Sequence, residues 1–316
     1  PKLESLIFLR SLCLPSINIP NEGNQRLMGV HALFPGQKHE LPSKSMRLYC
    51  MLNNELLYHE TYLCPEPDAA WMLFVHGAGG STRTWRRQID DLSQTYNLLL
   101  IDLPGHGEMA KRSNDAEVYT FEAIAQAIWQ VVDHLEIETS HLVGVSLGAI
   151  IVLEMRELRP EQTMSIILSG PILQLNTKLK VLASMSLGLA KIIGYPNFYK
   201  LSALIMMPRT NHQKSRKVFI KESRVLTTDE FRKWTNMYYG LNATLNELFH
   251  KTLSHPHLLV SGAQDHLFLY AAQAYAKLHS THTHLQIVPK CGHVVSIEKA
   301  SIFNQLCLDF LEKKGD

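Results

Sequence analysis

The stretch HLVGVSLGAIIVLEM, His141 to Met155, constrains the fold more than any other. An apolar run of strand composition ends at a serine, and an apolar helical run follows at once. A chain that turns from extended to helical backbone at one residue makes a sharp corner. Side chains two positions away would be crowded there, and Gly144 and Gly148 stand at both places. The corner lifts the hydroxyl of Ser146 above the strand's carboxyl end, facing the positive end of the next helix. The G-x-S-x-G pattern alone recurs by chance, but its setting between a buried strand and a helix is far rarer. SMSLG, from Ser184, lacks that setting: no strand precedes it and Ser184 replaces the first glycine. Ser186 therefore reads as packing.

Other apolar runs predict strands at Leu56 (LLYHETYL), Trp71 (WMLFVH), Asn97 (NLLLID), Ser165 (SIILSG), His257 (HLLVSG) and Leu285 (LQIVP). Most lack polar alternation, as expected of parallel strands covered on both faces. Helical periods lie between them. YTFEAIAQAIWQVVDHLEI aligns Phe121, Ile124, Ile128, Val131, Val132 and Leu135, and SIFNQLCLDFLEKK puts Ile302, Phe303, Leu306, Phe310 and Leu311 inside. Strand and helix alternate, so the fold class is α/β with a mostly parallel sheet flanked by helices. The core spans 51–170 and 235–316. Residues 171–234 interrupt it with helical sequence and no clear strand. That insert holds twelve Lys/Arg against three Asp/Glu, in a chain whose net charge is only +2. It reads as a cap. Residues 1–50, rich in Pro, Gly, Asn and Ser, form an N-terminal extension of uncertain structure.

Composition narrows the function classes. At 46% hydrophobic and 19% charged, the chain can fill a core. A charge of +2 makes no case for nucleic acid. The cysteines are Cys13, Cys50, Cys64, Cys291 and Cys307, an odd number with no C-x-x-C spacing, which suits a reduced, cytoplasmic chain. No apolar run reaches the ~18 residues of a membrane span. The apolar N-terminus is broken by Arg10 and Pro15, unlike a secretory signal. Stable membrane insertion is not expected.

A serine hydroxyl is a poor nucleophile near neutral pH and needs a base, held in turn by a third group. Behind a corner of this kind the acid precedes the histidine in chain order. Asp265 in AQDHL follows the strand HLLVSG, and His293 in KCGHVVSIEKA follows LQIVP. Both fall at strand carboxyl ends, in the right order. The loop PILQLNTK carries no competing carboxylate, and His266 lies too close to Asp265 along the chain to bridge it to Ser146. A developing oxyanion needs preorganised N–H donors. The backbone of Leu147 supplies one. HGAGGS, from His76, supplies the second, with Ala78 preferred over Gly77.

HGAGG, DLPGHG (Asp102 to Gly107), GVSLG, AQDHL and CGHVVSIEKA together resemble the α/β-hydrolase superfamily, in its capped esterase and C–C hydrolase branch. The resemblance runs from Leu56 to the C-terminus. It implies an eight-stranded sheet with a lid inserted after the sixth strand, and makes Asp102 and His106 scaffold residues beside the active-site mouth. The serine sets aside relatives with a carboxylate nucleophile, and Ala78 interrupts the H-G-G-G pattern of one esterase group.

The expected function is a cofactor-independent carboxylesterase hydrolysing small to medium acyl esters, as a monomer or homodimer. A C–C bond hydrolase or lyase is the alternative, although Ala149 and Ile150, with no arginine, follow the corner. A binding protein with little turnover is a third. Gly77 and the cap residues Met185, Met206 and Met207 are candidate substrate contacts, the methionines offering soft apolar surface. Arg209 or Arg224 could steer an anionic substrate. HSTHTH, His279 to His284, reads as a surface loop and not a metal site. No phosphate-binding glycine pattern implies a nucleotide.

Overall fold

Along β2, Trp71–Val75, successive side chains enter opposite apolar layers: Met72 and Phe74 pack on one side of the sheet, Leu73 and Val75 on the other. Leu98 and Leu100 of β3, Asn97–Ile101, join the first layer, and Leu99 and Ile101 the second. Two-sided burial is why these runs carry no polar alternation. The structure, a computed structural model, describes residues 55–112, 118–177, 179–181, 189–190 and 192–312.

The remaining strands are β1 (His59–Tyr62), β4 (Ser140–Val145), β5 (Thr163–Ser169), β6 (His257–Gly262) and β7 (Thr283–Val288). The sheet order is β1-β3-β2-β4-β5-β6-β7, with β1 antiparallel to β3 and every other pair parallel. All seven runs read as strands from the sequence contain one. The described residues thus hold seven strands where the resemblance implied eight, and the helical insert follows the fifth of these, β5.

The helices in chain order are α1 (Arg86–Leu92), α2 (Phe121–His134), α3 (Leu147–Leu158), α4 (Tyr195–Met206), α5 (Gln213–Glu222), α6 (Thr228–Asn236), α7 (Tyr238–His250), α8 (Leu269–Leu278), α9 (Val295–Glu298) and α10 (Ala300–Glu312). Thr120 caps α2 by accepting from the Ala123 N–H at 3.0 Å. Phe121, Ile124, Ile128, Val131 and Val132 of the expected stripe are buried in one layer with α3 and α8, while Leu135 falls just past the end of α2 and is half-buried. Leu92, Phe303 and Phe310 of α1 and α10 fill the other. Ile302, read as inward, is 44% exposed. Its neighbour Phe303 takes the inner position, and adjacent helical residues point roughly 100° apart.

Helices α4 to α6 lie between β5 and β6, and α7 returns to the core through buried Leu241, Leu245, Leu248 and Phe249. Side chains of α6 pin this region to the loop after β3. Trp234 Nε1 donates to the Pro104 carbonyl at 3.0 Å, and Glu230 accepts from the Tyr119 hydroxyl and from Lys233 Nζ. From α5, Glu222 accepts from the Ser81 hydroxyl at 2.7 Å.

Candidate active site

Ser146 is the last residue before α3 and sits in the left-handed region, at φ 56° and ψ −115°. A serine held there is strained by about 1–3 kcal/mol and persists only where its surroundings dictate the backbone. Those surroundings are visible. A Cβ at Gly144 would lie 2.7 Å from the Gly148 carbonyl oxygen, and one at Gly148 would lie 2.4 Å from that of Val75. The Ser146 N–H donates to Ser169 O of the neighbouring strand at 3.1 Å.

Loops after β4, β6 and β7 leave the same sheet edge and bring three distant side chains together. Ser146 Oγ lies 2.9 Å from His293 Nε2, and His293 Nδ1 lies 2.8 Å from Asp265 Oδ2. Asp265 and His293 are each only 2% exposed. The other oxygen of Asp265 accepts from the backbone N–H groups of Leu267 and Phe268 at 3.3 and 3.2 Å. Burial pushes the Asp265 carboxyl up, but the facing imidazole and these hydrogen bonds outweigh it and hold the group below its ordinary value. A carboxylate paired with Nδ1 keeps that nitrogen protonated and leaves Nε2 free to accept from the serine. Phe268 packs on the His293 ring, centroid to centroid 5.0 Å.

The loop after β2 passes in front of Ser146. A Cβ at Gly77 would lie 2.9 Å from the Val145 carbonyl oxygen and 3.1 Å from Ser146 Cβ, so glycine suits this close approach. Ala78 and Leu147 both border the cavity beside Ser146. No acceptor for either backbone N–H is seen among the described residues.

A model of the α/β-hydrolase fold matches residues 70–300. This protein belongs to the α/β-hydrolase family.

Its relatives within that family are diverse. The chain is 26% identical over 260 residues to the dihydrolipoyllysine-residue acetyltransferase component of the acetoin cleaving system of Pseudomonas putida, covering 77% of this chain and 63% of that one. It thus spans less than two thirds of that relative's length. It is 24% identical over 269 residues to RutD of Acinetobacter baylyi, a proposed carbamate hydrolase, covering 83% and 98%. Among solved structures, an esterase from Thermogutta terrifontis superposes with a TM-score of 0.68 at 19% identity, covering 81% and 93%. The enol-lactonase of Burkholderia xenovorans superposes at 0.65 and 17% identity, covering 81% and 96%. The two superposed structures share the fold of this chain; the chemistry named for each relative is its own.

The larger cavity of this hydrolase fold, about 180 Å³, is walled by aromatic and aliphatic side chains, including Phe198, Phe231, Trp234 and Tyr238. No Asp, Glu, Lys or Arg is among its described lining residues. Arg209 and Arg224 are exposed and do not border it. Met206 borders this cavity and a smaller one, while Gly77 and Met207 border only the smaller. Met185 lies outside the described residues, as do Ser184 and Ser186.

The scaffold around the site is denser than the sequence suggests. Asp102 accepts from the N–H groups of Thr82 and Glu108, while His106 both borders the large cavity and accepts from the Gly79 N–H. His212, fully buried after α4, was not singled out from the sequence. Its Nε2 lies 2.9 Å from Gln264 Oε1, beside Asp265, and its ring packs on Gly292, beside His293. Glu298 completes this clasp, accepting from the Gly292 N–H and the Ser215 hydroxyl, each at 2.8 Å. His279, His282 and His284 turn to separate partners: the Phe249 carbonyl, Thr281 and the Phe310 ring. Cys64, Cys291 and Cys307 are buried free thiols. No described helix is long and apolar enough to cross a membrane.

Proposed function

We propose that this hydrolase is a serine carboxylesterase acting on acyl esters of small to medium size. The reading is carried by the unbroken hydrogen-bonded run from Ser146 through His293 to Asp265. Ser146 Oγ attacks the acyl carbon while His293 Nε2 takes its proton. The oxyanion is held by the backbone N–H groups of Leu147 and Ala78. His293 returns the proton to the leaving oxygen, and Asp265 stabilises the imidazolium formed between the two transfers. Water, activated by the same imidazole, then releases the acid. A cavity wall without a charged side chain among its described residues suits a neutral acyl group better than the anionic substrate of a lyase.

Turnover of ethyl acetate and ethyl butyrate, followed by acid release and with Ser146→Ala as control, tests the proposal. Hydrolysis that depends on Ser146, together with covalent labelling by a fluorophosphonate, is expected. Hydrolysis unchanged in Ser146→Ala, or tight ester binding without turnover, would overturn it. Because RutD bears a carbamate-hydrolase name, an N-alkyl carbamate belongs in the same panel.

A further inference from the structure

Two cavities meet at Ser146. The larger, about 180 Å³, is bordered by Leu147 but not by His293; the smaller, about 40 Å³, is bordered by His293 but not by Leu147. Ala78, Ser146, Met206 and Phe219 border both. We infer that the larger lobe takes the acyl part and the smaller one the leaving group, so that the preferred substrates are medium-chain or aryl-acyl esters of short alcohols. The inference rests on the ester-hydrolase reading above.

The order of bond changes assigns the lobes. When the tetrahedral intermediate collapses, the bond from the former carbonyl carbon to the leaving oxygen breaks and its electron pair stays on that oxygen. The proton that neutralises it comes from His293 Nε2. The leaving oxygen must therefore lie within hydrogen-bond reach of His293, and the group attached to it occupies the lobe that His293 borders. The acyl chain points away, past Leu147, among Phe198, Phe231 and Trp234. Size then sets the class. A water-sized group fills roughly 10–15 Å³ of such space. By that measure the larger lobe holds about 12–18 heavy atoms and the smaller about three or four. Val145, Met207, Val218 and Ile297 give the smaller lobe apolar surface, and Thr84, Ser215 and Glu222 also border it.

Isomeric esters separate orientation from greasiness. Ethyl octanoate and octyl acetate have the same atoms and differ only in which side of the ester is long. The wild-type chain should show a kcat/KM about tenfold or more in favour of ethyl octanoate, within the range a shaped apolar pocket achieves. Val218→Ala, which widens the smaller lobe, should raise kcat/KM for butyl octanoate relative to ethyl octanoate. Equal rates for the isomers, or a preference for octyl acetate, would overturn the lobe assignment while leaving Ser146-dependent hydrolysis standing. Failure of both esters together with failure of fluorophosphonate labelling would remove the hydrolase reading, and this inference with it.

Discussion

Gly79 donates its backbone N–H to Nε2 of His106 across 3.0 Å, and the reciprocal bond runs from the Leu103 N–H to Nε2 of His76 at the same distance. The HGAGG and DLPGHG loops are thus cross-linked by two imidazoles. Each ring's Nδ1 donates to a carbonyl, of Gly77 at 2.8 Å or Pro104 at 2.9 Å, which fixes both rings as neutral and protonated on Nδ1. Replacing His106 with leucine keeps the bulk and strips Gly79 of its acceptor. The expected cost is about 1–3 kcal/mol in urea unfolding, from one buried N–H left unmade. Ester turnover should fall as well, because the loop carrying Ala78 loses its brace.

The same rings make stability depend on pH. Burial lowers His76 and His141 to about 4, and burial with His76 nearby lowers His106 to about 3; burial also lowers His257 to about 3. Unfolded, each would titrate near 6.5. Between these values the unfolded chain binds protons that the folded chain refuses, so unfolding free energy rises with pH. Denaturant midpoints are therefore expected to fall steadily from pH 7 toward pH 4, with little change between pH 7 and 8. A flat profile from 7 to 4 would contradict neutral buried rings.

Asp265→Asn should leave the fold intact and still lower kcat by about 10⁴-fold, the scale seen when the histidine of such a relay is held in the wrong tautomer. The amide can donate to Nδ1 and so place the proton on Nε2, where it blocks acceptance from Ser146. Circular dichroism and ethyl butyrate kinetics on the same preparation separate folding from chemistry. Retention of more than about a tenth of the activity would remove Asp265 from the proposed relay.

Two glycines should respond to alanine in opposite ways. At Gly148 the new methyl meets the Val75 and His76 carbonyl oxygens at 2.4 and 2.6 Å, both backbone atoms that cannot step aside. Gly148→Ala should destabilise by several kcal/mol or abolish soluble expression. At Gly240, exposed within α7, nothing lies within 4 Å of the new methyl. Gly240→Ala should stabilise by about 0.5–1 kcal/mol, through helix propensity and a less free unfolded chain. Thermal melts of the pair decide it.

His212 touches no reacting atom, yet it bridges the neighbours of Asp265 and His293. As a positioning residue, its loss should lower kcat by about 10–100-fold while KM moves little, since a displaced relay costs rate before it costs binding. His212→Gln, which keeps an amide N–H near Gln264, should recover part of that loss; His212→Ala should not. Equal drops in both variants, matched by equal drops in melting temperature, would reduce His212 to packing alone.

The sheet and the three converging residues were legible because local chemistry marks them. A strand buried on two faces is written as an unbroken apolar run, as in WMLFV, and a corner that forbids Cβ atoms is written as GVSLG. Asp265 and His293 stand directly after such runs. The clasp of His212 was not legible. A lone histidine in a cap sequence carries no period and no spacing, and its partners Gln264, Gly292 and Glu298 lie about fifty or more residues away along the chain. The cavity wall was legible only in part. The methionine-rich LSALIMMP drew the substrate reading toward Met206 and Met207, whereas Phe231, Trp234 and Tyr238, from α6 and the start of α7, line the larger lobe. Their shared face appears once α6 is laid against Pro104 and Tyr119.

That wall has a thermodynamic corollary. Water in a hollow of rings and methyl groups finds few partners, so an arriving acyl chain gains by releasing it, not by any attraction between ions. Affinity across a chain-length series should then be nearly indifferent to added sodium chloride and should carry a negative heat capacity of binding.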